Sequence, residues 1–382
     1  MIDQRTFSAE WLYEKQKQYR KDPSIIESMI YALHLLEQLK FAGLDFIFKG
    51  GTSLILLLEK PRRFSVDIDI IVDPKTTKEE LEAILDKVVE QSEFAGVRLD
   101  ERRSYKGRIP KAHYIFTYRS NAPAVSKKGI PSDRPEREIL LDVLFADSHY
   151  VKLIESPITT GWLKQEGEQL TVKMPDINSI AGDKLTAFAP NTTGVPYYRE
   201  SVKADGEVLR SEMFMEVIKQ LFDVGHLFDQ LDDLNTFIQT YKETAASEIA
   251  YRAERNIASV EAVLQDTINT ALILACREKQ FDKLNAEHFD YLMTGLNRFE
   301  HYVFDGSFRI EHAQVAGAKA AYLAALILHN KGETFVRFDG SASMENYLIK
   351  NPEYNFLNKR LKFVNNGEAL FYWSKIIELQ HG

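Results

Sequence analysis

The stretch FIFKGGTSLILLLEKPRRFSVDIDIIV, residues 46–72, constrains what this chain can fold into more than any other. A short apolar run at 45–49 reads as a strand and ends directly on Gly50-Gly51. The segment 52–58 then reads as a short helix opened by Thr52-Ser53. The run 67–72, DIDIIV, is rich in β-branched residues and stopped by Asp73-Pro74, which makes it a second strand. Strand, glycine turn, helix and strand in so short a span call for a sheet with helices laid against it.

The rest of the N-terminal half agrees. Helices are expected at 11–20 and, capped by Ser24, along Ile26, Met29, Ile30, Leu33, Leu36 and Leu39, closed by Gly43. Thr77 caps a further helix to about residue 92. Strands are read at 97–104, 112–119, 137–145, 151–159 and 169–174. After Pro175 helical periodicity takes over, at 177–188, 212–228, a long stretch near 247–276, 286–296, 313–329 and 368–379. The fold class is α+β: a mixed sheet with flanking helices over residues 1–172, then a mainly helical domain over 173–382.

Composition narrows the setting. The single cysteine, Cys276, excludes an internal disulfide framework and a cysteine-built zinc cage, and fits a reducing compartment. The longest apolar run, 320–328, is half a membrane span, and the N-terminal residues lack the apolar core of a signal peptide. A cytoplasmic protein without membrane contact is the expectation. The net charge of −8 argues at first against phosphate-bearing partners. Its distribution reverses that argument. Between residues 98 and 137 eleven basic residues (Arg98, Arg102, Arg103, Lys106, Arg108, Lys111, Arg119, Lys127, Lys128, Arg134, Arg137) face four acids, Asp100, Glu101, Asp133 and Glu136. Local charge decides what a cleft attracts. Such a segment suits an RNA backbone, and equally a solvated face or the triphosphate alone.

The chemistry-bearing residues fall in and after the first stretch. Glycines let backbone approach a ligand, and a helix N-terminus directs unpaired N–H groups at an anion. Asp67 and Asp69 are alternate strand residues and share a face. Two carboxylates that close are costly unless a cation lies between them, and hard oxygen ligands suit Mg²⁺. A third acid, Asp142, interrupts the apolar run ILLDVLF, where a lone carboxylate is expensive to bury. Taken singly, the glycines also fit a tight turn, the DxD a solvated strand end and Asp142 an edge residue. Their order and spacing sketch a metal-dependent nucleoside-triphosphate site. His226 and Asp229 share the helix face of Asp223 and read best as a helix–helix polar contact. The sequence has no GxxxxGK[ST], GxGxxG or HExxH motif.

At these residues the chain resembles the nucleotidyltransferase superfamily that includes DNA polymerase β and the antibiotic nucleotidyltransferases. More closely, it is similar to the AbiEii/AbiGii toxin family. That family's first motif is matched by Lys49, Gly50, Gly51 and Thr52 with Arg63, Ser65, Asp67 and Asp69. Its second is matched by Lys184, Leu185 and Ala187, and its third by Asp223. There are two departures. Gln220 stands where the family often has an acid, and Pro190-Asn191-Thr192 replaces a usual arginine, for which Arg199 is a candidate substitute.

The resemblance implies a nucleotidyltransferase-type sheet and a metal-dependent transfer of a nucleoside monophosphate from an NTP, with release of pyrophosphate. It implies Asp67, Asp69 and Asp142 as ligands of Mg²⁺, for which Mn²⁺ can stand in, with Asp142 also assisting removal of the acceptor proton. Lys49, Gly50, Gly51, Thr52 and Ser53 would bind the triphosphate, and Arg63 and Ser65 would brace the turn or touch phosphate. Lys184 would offset charge on the triphosphate, and Asp223 would orient Lys184 or a metal-bound water, so that the helical domain contributes to the site. The implied acceptor is RNA, a tRNA end, and the implied setting is a type IV-like toxin–antitoxin or abortive-infection system with a cognate antitoxin. Two other readings stay open at this point, nucleotidylation of a protein hydroxyl and a non-catalytic member that binds a partner protein.

Overall fold

A computed structural model describes the chain except residues 59, 61, 107–108, 123–135, 203–205, 278–282, 364–365 and 382. It divides into two units, Met1–Ser148 with Leu153–Asp176, and His149–Lys152 with Ile177–Gly382.

In the first unit helices α1 (Ala9–Tyr19) and α2 (Pro23–Phe41) precede strand β1 (Ile47–Lys49), helix α3 (Gly50–Leu57), strand β2 (Ile68–Val72) and helix α4 (Lys78–Glu90). Strands β3 (Phe94–Leu99), β4 (Lys111–Arg119), β5 (Glu136–Phe145), β6 (Leu153–Pro157) and β7 (Thr171–Pro175) follow. They form one seven-stranded mixed sheet in the order β3-β4-β5-β2-β1-β7-β6. The β2–β5 and β1–β7 pairs are parallel and the other neighbours antiparallel.

Local chemistry starts the helices. Asp22, rather than Ser24, caps α2 by accepting from the Ser24 N–H at 2.8 Å, with Pro23 at the first helical position, where its missing N–H costs nothing. Thr77 and Glu80 close a capping box on α4. Ile26, Met29, Ile30, Leu33 and Leu36 of α2 are wholly buried, and α2 packs on β2, β5 and α4. Phe48, Ile68, Ile70, Leu141 and Val143 are buried as well, so strand alternation turns Lys49, Asp69 and Asp142 to the opposite side of the sheet. Buried Glu27 ties α2 to the end of β4, accepting from Ser120 Oγ and Asn121 N at 2.5 Å and from Ala122 N at 3.1 Å.

His34, on α2, sits among Phe7, Tyr31 and Phe94, and among the described residues neither ring nitrogen has a hydrogen-bond partner. Burial pushes its pKa down to about 4. The unfolded chain, with an ordinary histidine near 6.5, therefore binds the proton more readily. The stability held by the neutral ring is complete above pH ~6.5 and is lost as pH falls towards about 4. The loss by pH 4.5 is expected to be about 2–3 kcal/mol, at roughly 1.4 kcal/mol per pKa unit. Urea unfolding of the wild type and His34→Phe at pH 7 and pH 4.5 checks this. Comparing the two proteins isolates His34 from carboxylates titrating in the same range, such as Glu37, whose pKa burial raises. Equal acid loss in both would remove His34 as the cause.

The second unit holds helix α5 (Ile177–Ala187), the hairpin β8 (Tyr198–Val202) and β9 (Val208–Glu212), then α6 (Phe214–Phe228), α7 (Leu234–Tyr251), α8 (Val260–Cys276), α9 (Lys283–Phe299), α10 (Ile310–Leu328), α11 (Phe356–Phe363) and α12 (Gly367–His381). Helix α10 packs on α6, α8 and α12. Its small residues permit close approach: a Cβ on Gly225 of α6 would lie 2.7 Å from that of Ala316. The apolar run 320–328 belongs to this buried helix. Among the described residues no helix is long and apolar enough to cross a membrane.

One expected helix needs correction. The helix expected near 247–276 is two helices, because Asn256 between them takes φ 51°, a left-handed conformation that asparagine tolerates. The β8–β9 hairpin was not expected, and β9 is exposed along its whole length. A strand with no buried side carries no hydrophobic alternation to read.

Candidate active site

The glycine pair and the Arg-x-Ser-x-Asp-x-Asp run, separate in sequence, are in contact. Gly50 opens α3 at φ 81°, and a Cβ there would stand 2.1 Å from Asp69 Oδ2. A Cβ on Gly51 would stand 2.3 Å from Arg63 Nη2 and 3.0 Å from Ser65 Oγ. Each glycine is thus required by a different residue of the second run. Arg63 is buried and donates from Nη1 to the Phe64 carbonyl at 3.1 Å, which places it and Ser65 against the turn. The hydroxyls of Thr52 and Ser53 point into the fold. Thr52 Oγ1 donates to the Asp67 carbonyl at 2.5 Å and lies 2.9 Å from Ser65 Oγ, while Ser53 Oγ donates to the Gly50 carbonyl at 2.8 Å. No side chain caps α3 at Lys49, so backbone N–H groups of its first turn are what it offers a ligand.

Gly50→Ala is expected to destabilise by about 2–3 kcal/mol, from the left-handed backbone and from the forced shift of Asp69. Gly43 supplies the control. Its φ is 93°, and a Cβ added there would meet nothing within 4 Å. Gly43→Ala therefore carries the backbone cost alone, about 1 kcal/mol. Denaturant unfolding that found the two variants equal would remove the Asp69 collision.

Across the sheet, register places Lys49 beside Asp69, Asp69 beside Asp142 and Asp142 beside His113, one transverse row over β1, β2, β5 and β4. Neighbouring strands are ~4.8 Å apart, so Asp69 and Asp142 lie side by side. Asp67 is exposed and immediately precedes β2, rather than belonging to it. His113 Nδ1 is 2.5 Å from Asp142 Oδ1, with the His113 side chain 5% exposed and that of Asp142 33%. The carboxylate oxygens of Asp67, Asp69 and Asp142 are the hard donors that a divalent cation such as Mg²⁺ takes, and the side-by-side pair would be relieved by one, so the residues fit such an ion. In this conformation Asp69 is pressed against Gly50 and Asp142 is drawn to His113. Among the described residues no group of three or more His, Cys, Asp and Glu is gathered as a ligand cluster.

The basic segment lies on the β3–β4–β5 side of the same sheet. Arg98 pairs with Glu138 at 2.8 Å, Arg137 lies 3.8 Å from buried Glu27, and Arg102, 3.7 Å from Asp100, is 92% exposed. Arg103, Lys106 and Arg119 are exposed. Arg108, Lys127, Lys128, Asp133 and Arg134 lie outside the described residues.

In the second unit Lys184 of α5 and Asp223 of α6 form a buried ion pair, Nζ to Oδ2 at 3.2 Å, with both side chains under a tenth exposed. Gln220 Oε1 accepts from the same Nζ at 3.2 Å. The amide that departs from the family pattern thus supplies a second acceptor to the lysine. Gly182 sets this helix, since a Cβ there would meet the Phe237 carbonyl of α7 at 2.8 Å. The Asn191-Thr192 turn is held by Asp266 of α8, which accepts from Asn191 N, Asn191 Nδ2 and Thr192 Oγ1 at 2.7–2.9 Å. Arg199 lies on the hairpin, in β8. Asp229 reaches Lys319 of α10 at 2.8 Å, a contact between helices, and His226 Nδ1 lies 2.9 Å from the Phe222 carbonyl.

Sequence reasoning missed His113, Asp266 and Lys319. Lys319 is a charge within an apolar helical run, the signal that did identify Asp142, whereas Asp266 stands between Gln265 and Thr267 and carries no such mark. His113 carries no comparable mark, because its strand is buried on both sides for most of its length. One protein-family model, described as "Nucleotidyl transferase AbiEii toxin, Type IV TA system", matches residues 34–307. No curated protein matches the chain.

Proposed function

The chain belongs to the AbiEii nucleotidyl transferase toxin family, and from that premise we propose that it moves a nucleoside monophosphate from an NTP to a hydroxyl of RNA, at a tRNA end. The family is one of type IV toxins, which implies a cognate antitoxin as partner. The observation that carries the reading is Asp69, which touches the Gly50 turn on one side and neighbours Asp142 on the other. A phosphate-binding turn and a carboxylate pair are thereby one site.

In this reading the backbone N–H groups of the Gly50–Ser53 turn hold the β- and γ-phosphates, and Lys49 stands beside them. Asp67, Asp69 and Asp142 would hold Mg²⁺ or Mn²⁺, which when bound supplies positive charge to the phosphates and to the acceptor oxygen. Asp142 accepts the proton of the acceptor hydroxyl. That oxygen bonds to the α-phosphorus, the bond from the α-phosphorus to the β-bridging oxygen breaks, and pyrophosphate leaves. The exposed arginines and lysines of 98–119 would hold the RNA backbone.

The test is incubation of the protein with each α-labelled NTP, Mg²⁺ and total tRNA. Label on RNA that disappears with Asp67→Ala supports the proposal. Label on protein instead replaces RNA by a protein hydroxyl as acceptor. No label on either, with no Mg²⁺-dependent triphosphate binding by calorimetry, would leave a non-catalytic member that binds a partner protein.

A further inference from the structure

We propose that His113 is the positioning residue of Asp142, fixing one carboxylate oxygen so that the other meets the acceptor hydroxyl. The inference rests on the reading of Asp142 as the group that takes the acceptor's proton. Three observations carry it. The 2.5 Å approach of His113 Nδ1 to Asp142 Oδ1 joins register partners of β4 and β5. Where the carboxylate is ionised it only accepts, and the proton of this hydrogen bond is then on Nδ1. The ring is almost fully buried, whereas the carboxylate is one-third open, so the histidine lies behind the acid and leaves its front accessible.

The third observation is the anchoring of His113 itself. Its backbone N–H donates to Ser104 Oγ at 2.8 Å, and its carbonyl accepts from the Asp100 N–H at 2.8 Å. Ser104 is also buried, at 4% exposure. The connection between β3 and β4 therefore grips both polar groups of the His113 backbone, and the imidazole has little freedom to move. A carboxylate is otherwise free to turn about its Cβ–Cγ bond. Pinned at Oδ1, it keeps the lone pairs of its second oxygen in one direction, which is what proton transfer to a positioned base requires. Outer partners that orient a site's acids in this way are worth tenfold to a hundredfold in rate.

The experiment uses the full chain and four variants: His113→Phe, His113→Asn, Asp142→Ala, and His113→Phe combined with Asp142→Ala. Phenylalanine keeps the buried ring and removes the donor. Asparagine places its Nδ2 donor near the position of Nδ1. We expect His113→Phe to lower kcat for RNA labelling about tenfold to a hundredfold, with triphosphate affinity by calorimetry unchanged. His113→Asn should recover most of the rate, and the double variant should be no slower than Asp142→Ala alone. A readout independent of turnover is the imidazole N–H signal of ¹⁵N-histidine-labelled protein. The hydrogen bond to a carboxylate should shift the His113 proton downfield of a free imidazole N–H and slow its exchange, and Asp142→Ala should remove both effects. A folded His113→Phe protein at the wild-type rate, beside an inactive Asp142→Ala, overturns the inference and leaves the site reading standing. If His113→Phe fails to fold, a folded His113→Asn of wild-type rate supports the inference, and one as slow as Asp142→Ala overturns it. An Asp142→Ala protein as active as the wild type overturns the site reading itself.

Discussion

Asp69→Asn is expected to lose nucleotidyl transfer by about 10²–10³-fold or more, while unfolding at nearly the same denaturant concentration as the wild type. Asparagine has nearly the shape of aspartate, so the contact that makes Gly50 obligatory survives the substitution. What disappears is one of two negative charges that strand register sets side by side. Like charges directly opposite each other on a sheet repel, while Lys49 on the other side attracts Asp69, so loss of the charge should leave stability near that of the wild type. The same charge is what would hold a divalent cation against the triphosphate. Activity should therefore fall while stability holds, as where a residue is kept for chemistry. The measurement is initial rate of label transfer beside urea unfolding of the same preparations. A variant within tenfold of the wild-type rate would show that Asp69 has no place in the reaction.

The largest loss of stability is expected from Asp223→Ala, about 3–5 kcal/mol in urea unfolding. Lys184 and Asp223 are both nearly inaccessible, and the Lys184 ammonium has Asp223 Oδ2 and the neutral Gln220 Oε1 as neighbours at 3.2 Å. Removing the carboxylate leaves a buried cation with an amide oxygen in its place, which costs far more than an ordinary surface pair is worth. Replacing both partners by apolar residues of similar size, Lys184→Met with Asp223→Leu, should restore most of the stability, because no charge is then left without its counterpart. A loss under 1 kcal/mol for Asp223→Ala would mean that water reaches the lysine.

The first motif was legible because its information is local. A glycine pair between a strand and a helix, and acids two apart in a β-branched run, are features of a few consecutive residues. The reading of Arg63 and Ser65 was less complete. Two roles were open, bracing and phosphate contact, and the structure places the Arg63 guanidinium where a Gly51 Cβ would be. Thr52 and Ser53 looked like phosphate ligands because they open the helix, yet both hydroxyls are spent inside the fold. Hydroxyl direction depends on what stands behind the turn, and here that is the carbonyls of Asp67 and Gly50. Gln220 read as a departure from a pattern, and only its distance to Lys184 gives it a role.

What the residues determined by themselves was the order of elements, the mixed sheet followed by helices, and the identity of the acids that carry charge into apolar strands. Those follow from side-chain period, backbone permissiveness and the cost of burying a charge, all of which act over short spans. What the tertiary structure decided was which residues became neighbours across the sheet. The row Lys49–Asp69–Asp142–His113 joins strands from widely separated parts of the chain, and a shift of one residue in any strand would turn its member to the other face. Register is set by packing across the sheet, with α2 on β2 and β5 and α4 on β3, and no local run of sequence contains it.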